Sequence, residues 1–169
     1  WLQGTSLLPV LRDPAAEVND YVFSEVTYHA AYEPQRSVRS KRWTYIERFG
    51  ERTLPVLPNC DDGASRDLLL ASGWDRLKLD RIQLYDIMFD PANCNNLADN
   101  PDYASVASEL HDRLHAWMAE TDDPLLHGDV SLPPGATMND PDSRSFLEDL
   151  IVAEEDGTLR RIPNPRTLR

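Results

Sequence analysis

Three side chains within one short segment could together recognise an anionic, hydroxylated ligand: Glu25, His29 and Arg36. A carboxylate accepts hydrogen bonds from hydroxyl groups, and the planar fork of arginine matches the oxygens of sulfate, phosphate or a carboxylate. From residue 35 to residue 48 the chain carries five basic residues and one acidic residue, against a formal net charge of -12 overall. This pattern indicates either an anion-recognition site or a solvated strand whose basic residues pair with acidic neighbours.

A second candidate is the histidine pair His111 and His115, which lie four residues apart. On a helix this spacing lets two imidazoles reach one metal ion. The Glu of a His-Glu-x-x-His motif is absent, and no third ligand is near in sequence. The sequence therefore favours a solvated or interface helix face, and we expect no metal ligands and no catalytic residues in this segment.

The two cysteines, Cys60 and Cys94, lie in no Cys-x-x-Cys or Cys/His spacing, and whether they pair is left open. Cys60 is a poor candidate nucleophile because the negative charge beside it disfavours a thiolate. The adjacent Asp61 and Asp62 lack the spacing of a calcium-binding EF-hand loop. We expect a polar turn here and a cysteine that is structural or incidental.

Charge and length exclude several classes of function. The 169 residues, 41% of them hydrophobic, are about one domain's worth of chain, and 29 acidic against 17 basic residues repel nucleic acid and anionic membranes. The longest aliphatic runs have four residues, far short of the ~20 that cross a bilayer. We expect neither nucleic-acid nor membrane partners. Because the chain opens on Trp1, we interpret it as a piece of a longer polypeptide, whose localisation is left undetermined.

Three strands are predicted among the elements that position the candidate residues. Residues 21–28 are rich in β-branched and aromatic side chains, which predicts a strand ending beside His29. Residues 36–47 form a second strand candidate with a turn allowed near Ser40 or Lys41, and a third strand is predicted around residues 82–87. Before them, residues 4–11 are predicted to be an extended lead-in because proline restricts helical geometry.

Helices are predicted by capping residues and by apolar spacing. Asn100 as N-cap and Pro101 at the first helical position open a helix to about Glu120. Its apolar stripe consists of Tyr103, Val106, Ala107, Leu110, Leu114, Trp117 and Met118. After the predicted loop 50–63, a shorter helix is predicted over 65–72 with Ser65 as N-cap. In the Pro-rich tail, residues 130–142 are predicted to wrap a surface or be mobile, and a short amphipathic helix around residues 146–151 is predicted to end near Gly157.

Taken together, five short motifs occur in an order that resembles the C-terminal part of the sulfatase family, and most closely its heparan N-sulfatase (sulfamidase) branch. They cover about residues 3–126 and are Gln3-Gly4-Thr5-Ser6-Leu7-Leu8-Pro9-Val10-Leu11; Glu25-x-x-x-His29-x-x-Tyr32-x-Pro34-x-Arg36; Trp43-x-Tyr45-Ile46; Leu84-Tyr85-Asp86 with Asp90-Pro91 and Asn96-Leu97-Ala98; and Leu114-x-x-Trp117-Met118-x-x-Thr121-x-Asp123-Pro124.

The resemblance implies an α+β fold, in which a small antiparallel sheet packs against one long C-terminal helix between an extended lead-in and a Pro-rich tail. It also implies a division of the chain. Residues 1–34 would end the catalytic domain, residues 35–126 would form the C-terminal α+β subdomain, and residues 127–169 would be an acidic tail with a short helix.

For function, the resemblance implies the C-terminal segment of a sulfuric ester or sulfamate hydrolase, with Glu25, His29 and Arg36 as substrate-binding residues. The implied partners are an upstream catalytic domain and a sulfated sugar or aryl sulfate. Calcium and formylglycine are implied for that upstream part, because no Cys/Ser-x-Pro-x-Arg sequence occurs here. This chain alone is therefore expected not to hydrolyse sulfates. The alternative is a non-catalytic acidic interaction module with a sulfatase-like fold.

Overall fold

The first sheet of the computed structural model, which describes residues 4–167, consists of four antiparallel strands in consecutive order. They are β1 (Val22–Tyr28), β2 (Tyr32–Arg39), β3 (Trp43–Arg48) and β4 (Ile82–Asp86). The predicted strands at residues 21–28 and 82–87 are thus confirmed. The candidate at 36–47 is divided between β2 and β3, with the turn where it was allowed. Ser40 closes this turn, since its Oγ accepts the Trp43 N–H at 3.0 Å.

One long helix covers this sheet, which confirms the predicted α+β architecture. A 3₁₀ turn, Pro101–Tyr103, leads into the helix α3 (Ala104–Glu120), and the Asn100 side chain accepts the Asp102 N–H at 3.0 Å as the predicted cap. Helix and sheet share one buried cluster, which contains Val38, Tyr45, Leu84, Leu110, Leu114, Met118 and Leu125. Among the residues predicted on the stripe, four are only partly buried: Tyr103, Val106, Ala107 and Trp117. Trp117 stacks on Phe23 with ring centroids 4.9 Å apart.

Two predictions near the smaller helices need correction. The lead-in is not extended throughout, because residues Leu8–Arg12 form the short helix α1 with a proline at its start. Proline is tolerated there, since the first N–H groups of a helix have no partner within it. The helix predicted at 65–72 is present as α2 (Ala64–Ala71), but its N-cap is Gly63 rather than Ser65, and no side chain caps it.

A second sheet occupies the tail, where the sequence predicts a short helix. Its strands are β5 (Thr137–Asn139), β6 (Leu150–Ala153) and β7 (Leu159–Ile162), all antiparallel. The helix prediction is wrong because a four-residue apolar run fits a buried strand as well as a helix turn. Gly157, at a φ of 82°, takes part in the turn between β6 and β7, where it favours the left-handed backbone of a hairpin.

The two sheets meet at the turn between β1 and β2. Ala31 forms an isolated parallel bridge with Asn139, and the Asn139 N–H donates to the Ala30 carbonyl at 2.7 Å. The remaining elements are 3₁₀ turns at Leu57–Asn59, Trp74–Arg76, Pro124–Leu126 and Pro165–Thr167. Residues 1–3 fall outside the described residues. They include Trp1 and Gln3, the first residue of the first sulfatase-like motif. Within the described part, no helix has the length and apolar character that a bilayer span needs.

Candidate functional site

Glu25 lies in the middle of β1, with its Cα paired to Arg36 of β2. Its side chain is 63% exposed, and its Oε2 is 3.7 Å from the Arg36 Nε, a loose contact. It borders a shallow depression of about 230 Å³ formed by the two strands and Ile46. The carboxylate is therefore available to a ligand rather than fully committed to an ion pair.

Arg36, by contrast, is 2% exposed and uses its whole guanidinium inside the protein. Two N–H groups bond the Asp123 carboxylate, Nε to Oδ2 at 2.5 Å and Nη2 to Oδ1 at 3.0 Å. The other three donate to the Val26 carbonyl at 2.8 Å, the Gln35 carbonyl at 3.0 Å and the Thr27 Oγ1 at 3.1 Å. All five donors of the side chain are thus in use within the described part of the chain.

The partner carboxylate ties the end of α3 to the sheet. Asp123 follows the helix, and its Oδ1 also accepts the Leu125 N–H at 3.0 Å. Burial alone would raise the pKa of Asp123, but the hydrogen bonds and charge of Arg36 outweigh it and hold that pKa below its usual value. Arg36 therefore works as a structural link, and it also fixes residues 26–27 between Glu25 and His29.

His29 lies in the turn between β1 and β2, and its side chain is exposed. It borders a polar cleft of about 470 Å³ whose other walls come from the loop after β3, the second sheet and the C-terminal 3₁₀ turn. The charged lining residues of that cleft are Asp61 and Arg166. Glu25 and Arg36 line a different depression, so the structure pairs those two residues and places His29 in a separate cleft.

The backbone that carries His29 is held from two sides. The Asn59 Oδ1 accepts the Ala31 N–H at 2.8 Å, and the Asn59 Nδ2 donates to the Glu33 Oε2 at 2.8 Å. Asn139 bonds Ala30 from the opposite side, as described above. A turn held by the Asn59 side chain on one side and by the Asn139 backbone N–H on the other presents its exposed residue in a defined position, which a ligand-binding group needs.

Two lining residues of the His29 cleft were not identified as site residues from the sequence. The sequence predicts Asp61 only as part of a polar turn, and Arg166 lies in the tail that the motif resemblance does not cover. Neither Asp61 nor Arg166 lies in a local sequence pattern that indicates binding. The two residues are brought together beside His29 only by the folding of the chain. Cys60 and Cys94 are both free thiols in the described structure, so they do not pair.

A possible metal-binding cluster forms where the sequence offers only two histidines. Glu47 of β3 joins His111 and His115 of α3, and one ligand atom of each residue lies within 4.8 Å of the others. No local sequence pattern indicates this third residue, because Glu47 is 64 positions away from the nearer histidine. The pairing follows from the packing of α3 on the sheet.

Comparison with known proteins identifies the chain's relatives. No protein-family model matches it. An ulvan-active sulfatase of Formosa agariphila is 30% identical over 175 residues, covering 98% of this chain and 32% of the relative. The human N-sulphoglucosamine sulphohydrolase is 29% identical over 141 residues, covering 74% of this chain and 28% of the relative. A solved 2-O GAG sulfatase shares the fold with a TM-score of 0.52 and 24% identity, covering 78% of this chain and 23% of that chain.

The chain therefore spans about a third of the length of these curated relatives. Its strands and long helix match part of a sulfatase, and the extent of the matches fits a C-terminal segment. The resemblance to sulfatases inferred from the five motifs is confirmed by both curated relatives, one named as an ulvan-active sulfatase and the other as an N-sulphoglucosamine sulphohydrolase. On this basis the chain is homologous to sulfatases over nearly its whole length and corresponds to a segment of a sulfatase.

Proposed function

We propose that this chain completes the fold of a sulfatase and supplies one wall of its substrate pocket, without catalytic residues of its own. The observation that carries the proposal is the His29 turn, which Asn59 and Asn139 hold rigidly while its imidazole opens onto a polar cleft. A group used for binding needs this combination of a fixed backbone and an exposed side chain.

In this proposal Glu25 and His29 contact the substrate, and Arg36 is a positioning residue. Glu25 is exposed and accepts hydrogen bonds, which suits the hydroxyl or amine groups of a sugar. The N–H groups of Arg36 donate to Val26, Thr27 and Asp123, so the contribution of Arg36 is to hold β1 in place. The names of the relatives, which refer to ulvan and to N-sulphoglucosamine, support a sulfated sugar as the substrate class.

The formylglycine and calcium of the family are proposed to belong to the catalytic part of the longer protein. This chain has no Cys/Ser-x-Pro-x-Arg sequence for the conversion to formylglycine. The reaction at sulfur is therefore assigned to residues outside this segment, and the role of this segment is recognition of the sugar.

The test is carried out in a full-length sulfatase that contains this segment. Replacing Glu25 by Gln or His29 by Gln should lower kcat/KM on a sulfated sugar by about 10- to 100-fold, or about 1.4 to 2.7 kcal/mol of transition-state stabilisation. The melting temperature should change little, since both side chains are exposed. His127→Gln, at another exposed histidine, is the matched control and should leave kcat/KM unchanged.

Two results would contradict the proposal. A lower melting temperature with unchanged kcat/KM would show that Glu25 acts only in folding, as an ion-pair partner of Arg36. A full-length chain without any formylglycine motif would instead favour the second candidate function, an acidic interaction module with a sulfatase-like fold. The strong net charge of -12 is the observation that keeps this second candidate open.

A further inference from the structure

Glu47, His111 and His115 form a cluster that plays no part in the recognition site described above. The His115 Nε2 lies 2.8 Å from the Glu47 Oε2. The rings of His111 and His115 stack, with centroids 4.1 Å apart and an angle of 26° between their planes. The two imidazoles thus lie side by side on α3, facing a carboxylate of the central strand β3.

The cluster is buried at its base and open at its mouth. The Glu47 side chain is 6% exposed, whereas His115 is 31% and His111 is 44% exposed. The two oxygens of Glu47 have different neighbours, since the Arg81 Nη2 lies 3.6 Å from Oε1 while His115 contacts Oε2. Arg81 therefore supports the buried carboxylate from one side and leaves the other oxygen directed at the histidines.

A hydrogen bond between Glu47 and His115 explains only part of this arrangement. It accounts for the position of His115, because a buried carboxylate needs a partner. It does not involve His111, whose Nδ1 lies 3.2 Å from the Asp112 Oδ1 and whose ring stacks on that of His115 and lies edge-to-face with that of Tyr45. The other ring nitrogen of His111 remains for a ligand, and two imidazoles with one carboxylate oxygen, all within 4.8 Å of one another, are a recognised set of metal ligands.

We propose that Glu47, His111 and His115 bind Zn²⁺, which ties α3 to the sheet. Imidazole nitrogens and a carboxylate oxygen suit zinc, and three protein ligands leave a fourth position for water at the open side. Ligand bonds of about 2.0 to 2.1 Å place tetrahedral donors about 3.3 Å apart. The Glu47 and His115 atoms, 2.8 Å apart, need to separate by about half an ångström, and the ligand atoms that lie up to 4.8 Å apart need to approach to about 3.3 Å through rotation of the exposed His111 side chain.

The consequence of such a site is metal-linked stability. An ion bound by residues of β3 and α3 binds the folded chain and has no preformed site in the unfolded one, so it shifts the folding equilibrium by mass action. The zinc site is expected to affect stability even in a chain that performs no catalysis.

The experiment uses the 169-residue chain after removal of metal by a chelator, in a Cys60→Ser, Cys94→Ser background so that neither thiol binds the probe. Zn²⁺ is titrated by calorimetry, and Co²⁺ is added as a spectroscopic probe of low-symmetry coordination. The two test variants are His111→Gln and Glu47→Gln, and His127→Gln is the control. His111 is the safer test of binding, because it is nearly half exposed and its loss leaves the buried carboxylate paired.

We expect Zn²⁺ to raise the melting temperature and Co²⁺ to give visible d–d absorption that Zn²⁺ abolishes. His111→Gln and Glu47→Gln should each weaken Zn²⁺ binding by about 100-fold or more, since each removes one of three ligands. His127→Gln should bind like the parent chain. The proposal is overturned if the parent chain binds no Zn²⁺, or if His111→Gln binds it as tightly as His127→Gln does.

Discussion

The two sheets of this chain are stabilised by different kinds of contact. The first sheet packs on α3 through apolar side chains, and Val38, Leu84, Leu114 and Met118 are fully buried there. The second sheet has strands of three or four residues, and two buried side-chain amides fasten the loop before β6 to it. Asn139 and Asn164 are both buried, and the Nδ2 of each donates to the carbonyls of Phe146 and Glu148.

This difference explains how each sheet depends on its sequence. An apolar core tolerates changes of side chain as long as volume and pattern are conserved. An amide that bonds two backbone carbonyls requires one residue type at one position, although any residue can supply the carbonyls. We therefore expect mutations to affect the first sheet through packing and the second through single polar contacts.

The largest expected effect is loss of the buried ion pair that joins the first sheet to the end of α3. Arg36→Met leaves Asp123 buried without its partner, which costs about 3 to 5 kcal/mol of unfolding free energy. Arg39→Met, on the same strand but exposed, is the control and should change stability by less than about 0.5 kcal/mol. Urea unfolding measures both. Equal stability of the two variants would show that Arg36 is not a structural link.

A similar cost is expected for a truncation in the apolar core. Leu114→Ala removes a fully buried side chain and leaves a cavity, for about 2 to 5 kcal/mol in urea unfolding. Trp117→Ala should cost less than Leu114→Ala, because Trp117 is only partly buried against Phe23. A larger loss for Trp117 would place the centre of the core at the stacked aromatic pair instead. Leu68→Ala, at an exposed position of α2, is the control.

The amide contacts of the second sheet should give a smaller and local effect. Asn164→Ala removes one of the two amides that bond Phe146 and Glu148, at a cost of about 1 to 3 kcal/mol. Hydrogen exchange should accelerate in β6 and β7, while β2 and β3 keep their protection. Asn95→Ala, an exposed asparagine, serves as the control. Accelerated exchange in both sheets would show that they unfold as one unit.

The smallest effect is the pH dependence of the Arg36–Asp123 pair. Since the pKa of Asp123 is lowered in the folded chain, the unfolded chain binds more protons in acid. The stability from this pair is therefore present at neutral pH and is lost as pH falls through the lowered pKa. Urea unfolding from neutral to acidic pH should show a steeper loss for the parent chain than for Arg36→Met. If the free energy of unfolding of the two proteins depends on pH with the same slope, the pKa of Asp123 does not differ between the folded and unfolded chain.

Much of the first sheet and its helix could be predicted from the sequence because the residue patterns of these elements are local and periodic. The run of β-branched and aromatic residues marked β1, and Asn100-Pro101 with the apolar stripe marked the long helix. The second sheet could not be predicted in this way. Leu150–Ala153 is too short for periodicity to distinguish strand from helix, and its partner strands β5 and β7 have only three and four residues.

The candidate site was predicted unevenly for a related reason. The resemblance to sulfatases indicated Glu25, His29 and Arg36. Residue types alone could not show that every N–H group of the Arg36 side chain donates a hydrogen bond within the protein. That requires knowledge of Asp123, which is 87 residues away in sequence. The same long-range packing brings Glu47 to the histidine pair, so the number of metal ligands also depends on the fold.

The parallel bridge at the β1–β2 turn has an evolutionary consequence. The contact from Asn139 to Ala30 uses a main-chain N–H, which every residue except proline provides. Natural selection can therefore exchange most side chains of the tail, and with them the walls of the cleft, while the turn that presents His29 keeps its place. The lining of the cleft can in this way vary through substitutions in the tail alone, while the backbone contact that holds the turn is retained.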